Sequence, residues 1–196
     1  YEWKKTKYIN NKKKKNNLNQ KIKIENKAEI KFVLKKLDEF LKLHITCQVE
    51  AGADIIQIFD SWAGLIEEED LEDYCYNPNK SLISFCKENN IPSICFPKGL
   101  KSNYKNFIEK VKPNAISIDY EVDPLWAKNN LNNICIQGGM SPKLLLKNEK
   151  QALEETDRYL EIFKNIPYIF NLGHGILPGT NPEVIKKIVD RVKLNK

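Results

Sequence analysis

Arginine is almost missing from this chain. Of its 32 basic residues only Arg158 and Arg191 are arginines. Arginine supplies the planar, bidentate fork that reads phosphates and base edges, so a nucleic-acid interface lacks its main instrument. The run Lys12-Lys13-Lys14-Lys15 has no aromatic residues interleaved with it as stacking platforms. It reads as a solvated loop. Residues 1–50 hold 14 lysines against 6 acids, whereas residues 51–196 hold 18 basic and 20 acidic residues. The net charge of +6 therefore belongs to the first quarter of the chain.

Long apolar runs are missing too. No stretch approaches the roughly 20 residues that a membrane-spanning helix needs. The opening Tyr1-Glu2-Trp3-Lys4-Lys5 has no apolar region behind it, as a secretory signal would. It also has no initiator methionine, so the true start is expected to lie upstream. The five cysteines, Cys47, Cys75, Cys86, Cys95 and Cys135, form no CxxC pair. Several sit in apolar runs and read as small core residues in a reducing cytosol, which places the protein in the cytoplasm. Two histidines exclude a three-histidine metal site. With 41% apolar and 30% charged residues the chain can bury a core. A membrane protein, a collagen-like fibre and a secreted disulfide scaffold are set aside.

What is present is a rhythm. Short apolar runs occur at Ile55–Phe59, Ser93–Phe96, Ala115–Ile118, Ile134–Ile136 and Tyr168–Leu172. Each is nearly all apolar rather than alternating, as expected of strands buried on both faces of a parallel sheet. Amphipathic stretches lie between them: one from Asn77-Pro78 through Cys86, one over Tyr104–Val111, one over Glu149–Phe163, and one from Asn181-Pro182-Glu183 through Val192. Before the first strand, Ala28 to Gly52 reads as one long helix. Its apolar side carries Ile30, Val33, Leu34, Leu37, Leu41, Ile45 and Val49.

Five strand-helix units predict an α/β fold. No GxGxxG or GxxxxGK[ST] follows any strand, which weakens an open nucleotide-binding sheet. Polar residues instead end several strands: Asp60-Ser61, Lys98-Gly99, Asp119-Tyr120, Gln137-Gly138 and His174-Gly175. That is the arrangement of a (β/α)₈ TIM-type barrel. A barrel needs eight strands, so the chain is expected to supply about the last five units of one domain. Residues 1–27 form a Lys/Asn-rich loop region and residues 28–196 the βα units.

His174 lies between two glycines in Asn171-Leu172-Gly173-His174-Gly175-Ile176, so its imidazole is free to face a ligand at a strand end. His44, inside the long helix, reads as structural. Ser61 follows the first buried strand without a GxSxG elbow, so hydrogen bonding to a substrate suits it better than nucleophilic attack. A turn cap is the alternative. Asp119 either orients groups at the barrel mouth or caps a turn. Composition and spacing lead to a barrel enzyme and no further.

Together, Gln48–Asp54, Gln57-Ile58-Phe59-Asp60-Ser61-Trp62-Ala63-Gly64, Ser117–Pro124, Ile136-Gln137-Gly138 and Asn171–Ile176 resemble the uroporphyrinogen decarboxylase family over residues 28 to 193. The resemblance implies a distorted (β/α)₈ barrel working as a homodimer. It implies removal of CO₂ from the four acetate arms of uroporphyrinogen, giving coproporphyrinogen for haem and related tetrapyrroles, with no metal and no organic cofactor. The family's active-site Ser or Thr falls on Ser61, and its histidine on His174. Its tyrosine falls on Tyr8, through the Trp-to-Tyr spacing of Trp3–Tyr8, in a stretch altered by lysines. All three are expected to hydrogen-bond substrate carboxylates, with His174 a binder before it is an obligatory acid. The family's two arginines and essential aspartate have no counterparts here, and Gly139 and Ser141 stand where the family more often has Asn and Asp. The rival enzyme is a zinc-dependent corrinoid methyltransferase of the same superfamily. Its His-x-Cys pair is missing around Cys95, and its later Cys position is occupied by His174. An inactive fragment is the non-enzyme reading.

Overall fold

The computed structural model describes residues 26–195. Tyr8 and the lysine run lie outside the described residues. Five strands form one parallel sheet: β1 Ile56–Asp60, β2 Ser93–Pro97, β3 Ala115–Ile118, β4 Cys135–Gly138 and β5 Tyr168–Ile169. Their spatial order is β1-β2-β3-β4-β5. Each strand therefore lies beside its predecessor in sequence, and the chain winds in one direction throughout. A doubly wound sheet reverses its order at a switch point. This sheet does not, and it has the connectivity of a barrel wall. The register pairs Phe59 with Phe96, Cys95 with Ile116, Ile116 with Ile136, and Ile136 with Tyr168.

Six α-helices accompany the strands: α1 Lys27–Glu50, α2 Asn77–Glu88, α3 Tyr104–Val111, α4 Pro124–Asn130, α5 Glu149–Phe163 and α6 Pro182–Leu194. Among the described residues no helix is long and apolar enough to cross a membrane. The starts of α4, α5 and α6 are set by side-chain caps. Asp123 accepts from the Trp126 amide at 2.8 Å, Asn148 from Lys150 at 2.8 Å, and Asn181 from Glu183 at 3.0 Å. A cap of this kind is worth about 1 kcal/mol. Pro124 and Pro182 sit in the first turn, where a missing N–H costs nothing.

The main core lies between the sheet and helices α2 to α6. Ile83, Tyr104, Phe107, Ile116, Ile118, Leu131, Ile136 and Phe163 are among its buried members. A smaller cluster joins Ile45 of α1 to Ile56, Leu82, Cys86 and Ile91. β2 and β3 are buried at every position, as their unbroken apolar runs require.

The structure departs from the sequence-based expectation in four places. Helix α4 was not anticipated, because two turns carrying only Trp126 and Ala127 as inward apolar residues leave little periodicity to read. The fifth strand is two residues long, and Leu172 rejoins the sheet only through an isolated bridge to Met140. Only Ile45 of α1 is buried, while Val33, Leu37 and Leu41 of its apolar side are exposed. The physical reason is a shortage of neighbours, since α1 packs on α2 at the margin of the sheet. Finally, Cys47 is exposed on α1, whereas Cys75, Cys86 and Cys95 are the core residues expected.

Candidate active site at the strand ends

The carboxyl ends of the strands meet in a set of locked turns. At the end of β1, Asp60 accepts from Asn79 Nδ2 at 3.0 Å, and the same nitrogen donates to the Cys75 carbonyl at 2.8 Å. The Cys75 thiol and the amides of Trp62 and Ala63 also favour the charged form of the Asp60 carboxylate. Burial pushes this carboxyl above its ordinary 3.8, and the four donors pull against that rise. The turn is tied to β2 as well. Lys98 N donates to Asp60 O at 3.1 Å, and Gly64 N donates to Lys98 O at 2.8 Å. A Cβ on Gly64 would stand 2.6 Å from the Gly99 carbonyl oxygen, so only glycine lets the two turns touch. Ser61 lies inside this held turn and is exposed, with Trp62 beside it 70% exposed.

Asp119, at the end of β3, is 2% exposed. One oxygen accepts from Gly99 N at 2.8 Å and from the Tyr104 hydroxyl at 3.0 Å, and the other accepts from Glu121 N at 2.9 Å. Both oxygens are thus occupied by the protein. Of the two roles left open by the sequence, Asp119 takes the structural one: it joins the β2 and β3 turns. Burial, then the Asp119 charge, raises the Tyr104 phenol well above its ordinary 10.0 and keeps it a donor.

His174 follows β5 in an exposed loop. Its Nδ1 accepts from Gly175 N at 2.6 Å. In the neutral ring this leaves the proton on Nε2, free to donate to a ligand. Gly173 permits the approach of this loop to the β3 turn, because a Cβ there would sit 2.3 Å from Tyr120 N. Gly173 N is bonded to Met140 O at 2.7 Å. The rings of Tyr120 and His174 are 6.5 Å apart, and Lys143 Nζ stands 5.5 Å from the centre of the Tyr120 ring. His44 stacks on Phe40 at 6.3 Å within α1.

Ser61 and His174 therefore share the carboxyl edge of the sheet but follow β1 and β5, its two outer strands. The structure does not bring them into contact across the flat order of the strands. It places them on opposite flanks of one rim. Sequence reasoning passed over Asn79 and Lys143. Asn79 lies 19 residues beyond Asp60 with no motif to link them. Lys143 sits in an ordinary polar turn. Tyr120 was visible as a strand-end residue but not as a partner of His174. Both arginines are engaged on helices, Arg158 with Glu155 at 2.9 Å and Arg191 with Asp157 at 3.2 Å. Among the described residues no group of three or more His, Cys, Asp or Glu side chains converges as a metal ion would require.

Successive βα units in one parallel sheet, with polar side chains at the strand carboxyl ends, define the class as a TIM-type barrel protein. A family model described as uroporphyrinogen decarboxylase (URO-D) matches residues 7–194, and the chain belongs to that family. A uroporphyrinogen decarboxylase from Wolbachia sp. subsp. Brugia malayi (strain TRS) is 41% identical over 168 residues, covering 85% of this chain and 48% of that relative. One from Rickettsia bellii (strain RML369-C) is 38% identical over 182 residues, covering 90% of this chain and 52% of that relative. The chain thus spans about half the length of the curated relatives it matches. Among solved structures, a methyltransferase from Methanosarcina mazei aligns with a TM-score of 0.75 at 20% identity, over 88% of this chain and 52% of that one. That likeness concerns the fold alone.

Proposed function

We propose that this chain is part of a cofactor-free decarboxylase that converts uroporphyrinogen III to coproporphyrinogen III. The supporting observation is a family match running through nearly the whole chain, combined with an exposed histidine after β5 whose Nδ1 is held by Gly175 N, which leaves Nε2 to donate. The substrate is a flexible polyanion, and the protein must position its carboxylates and manage protons. His174 donates from Nε2 to one carboxylate. The Ser61 hydroxyl donates to another from the opposite flank of the rim. Tyr8 is the third carboxylate binder, in its family position. Lysines at the rim add positive charge where the two arginines are already paired on helices.

The chemistry asks for positioning more than for reactive side chains. Protonating the pyrrole carbon beside an acetate arm makes the ring an electron sink. The bond to the carboxylate breaks, its electrons enter the ring, and CO₂ leaves. The exocyclic methylene then takes a proton and becomes methyl, while the ring gives up the proton it had gained. One proton is consumed for each CO₂ released. Groups that fix the carboxylates choose which arm stands at the reacting position, which is why hydrogen-bond donors around the rim suffice for this chain's share of the work. On the same family ground, the chain forms part of a single barrel domain, and the protein works as a cytoplasmic homodimer.

Incubation of the intact protein with uroporphyrinogen III under reducing conditions is expected to release coproporphyrinogen III through partly decarboxylated intermediates. Recovery of unreacted substrate from folded protein overturns the reading.

A further inference from the structure

Asn79 is a buried amide, 5% exposed, in the first turn of α2. A polar side chain this deep is costly unless its donors are used. Its Nδ2 donates in two directions: to Asp60 Oδ2 at the end of β1 at 3.0 Å, and to the Cys75 carbonyl at 2.8 Å. Cys75 closes the wide helical turn Glu72–Tyr76 that leads directly into α2. Asn79 therefore fastens that turn and the end of β1 together.

The Asp60 carboxylate carries the constraint one step further. The amides of Trp62 and Ala63, the two residues after Ser61, favour the charged form of this carboxylate. Ser61 thus lies between the carboxylate before it and the amides behind it. Gly64 N, bonded to Lys98 O at 2.8 Å, fixes the far end of the same turn to β2. The serine is exposed, whereas Asp60 and Lys98, to which its turn is tied, are half-buried and Asn79 behind them is buried. Burial disfavours the charged carboxylate, so the donors around it decide how firmly it holds the turn.

We propose that Asp60 and Asn79 are positioning residues for Ser61: Asn79 holds the Asp60 carboxylate, and the carboxylate clips the turn that presents the Ser61 hydroxyl to a substrate carboxylate. This rests on the decarboxylase reading above. A hydroxyl on a loose turn meets its partner in only a fraction of conformations, and a displacement of about 1 Å costs up to about a hundredfold in rate. Asn79 touches no substrate. Its whole effect on turnover passes through Ser61.

A double-mutant cycle in the intact protein reads that dependence directly. Asn79→Leu and Ser61→Ala are each expected to lower kcat/KM for uroporphyrinogen III about tenfold, the loss of one hydrogen bond's worth of binding. Combined, they are expected to lower it no further than Ser61→Ala alone. Multiplication of the two losses to about a hundredfold overturns the proposal, because Asn79 would then act independently of Ser61. Activity of Asn79→Leu equal to wild type overturns it as well. If Asn79→Leu fails to fold, Asn79→Asp in the same cycle gives the same decision: its carboxylate repels Asp60 at neutral pH, and its loss must also vanish in the Ser61→Ala background. Wild-type protein inactive on uroporphyrinogen sinks the decarboxylase reading itself, whereas active wild type with multiplying losses sinks only the positioning role.

Discussion

The middle of the sheet and its β1 margin are made of the same kinds of residue and meet opposite fates. Phe107 of α3 is fully buried, while Phe40 of α1 is 63% exposed. Every residue of β2 and β3 is buried, while Phe59 of β1 is 65% exposed. The difference lies in neighbours. β2 and β3 each have a strand on both sides, and α3 has the sheet beneath it, whereas among the described residues β1 has β2 on one side only. Apolar residues state what a segment is able to bury, and the number of surrounding elements decides what it does bury.

The strongest way to break this contrast is at the tight approach between the segments that follow β3 and β5. Gly173→Ala puts a Cβ 2.3 Å from Tyr120 N, where backbone rather than a movable side chain must give way. We expect a loss of about 4 kcal/mol or more, the range reserved for severe steric conflicts. Urea unfolding of the intact protein measures it, and a loss below about 1 kcal/mol would show that the two turns separate freely.

Phe107→Ala is expected to cost about 3–5 kcal/mol by the same measurement, as for other large core truncations. Asp119→Ala is expected to cost about 2–4 kcal/mol, since it strands the Tyr104 hydroxyl and two amides that the carboxylate now satisfies. A near-neutral Asp119→Ala would mean that the carboxylate is available to ligands instead.

At the margin the contrast is sharpened by association rather than by unfolding. Among the described residues, Phe32, Phe40, Leu43, Phe59 and Trp62 are exposed near a β1 edge that pairs with no described strand. The purified chain is expected to self-associate in light scattering, and Phe32→Gln with Phe40→Gln is expected to reduce it. A monodisperse monomer with a cooperative melt would contradict this. The smallest effect is on thiol chemistry. Cys47 is exposed, whereas burial holds the Cys75 and Cys95 thiols protonated far above their ordinary 9.0. A thiol reagent is expected to modify Cys47 at once and Cys75 and Cys95 only after unfolding. Early labelling of Cys95 would show that the inner sheet opens.

Much of the barrel wall is legible in the sequence because its strands are largely unbroken apolar runs and helices α2, α4 and α6 start at Asn or Asp followed by Pro. Ser93–Phe96 and Ala115–Ile118 announce two-faced burial without any tertiary knowledge. Helix α4 is not legible, because its cap and Pro124 mark a start while too few apolar residues follow to show a period. Ser61 and His174 are legible as polar residues in the segments that follow β1 and β5. The site is not legible where a partner arrives from another element. Asn79 reaches Asp60 from a helix, and Lys143 reaches Tyr120 from the turn after β4. Nothing in linear spacing records either approach. Asp119 shows the converse: its position announces importance, but only its three hydrogen bonds decide that the importance is structural.

The most direct measurement is the product profile of the intact protein and its His174→Asn variant on uroporphyrinogen III, followed over time. Wild type is expected to carry the substrate through to coproporphyrinogen III. The variant, having lost the Nε2 donor at the β5 end, is expected to slow by about tenfold to a hundredfold and to accumulate partly decarboxylated intermediates. A folded variant with the wild-type profile would contradict the placing of a substrate carboxylate at His174, and a wild type that leaves uroporphyrinogen untouched would contradict the decarboxylase itself.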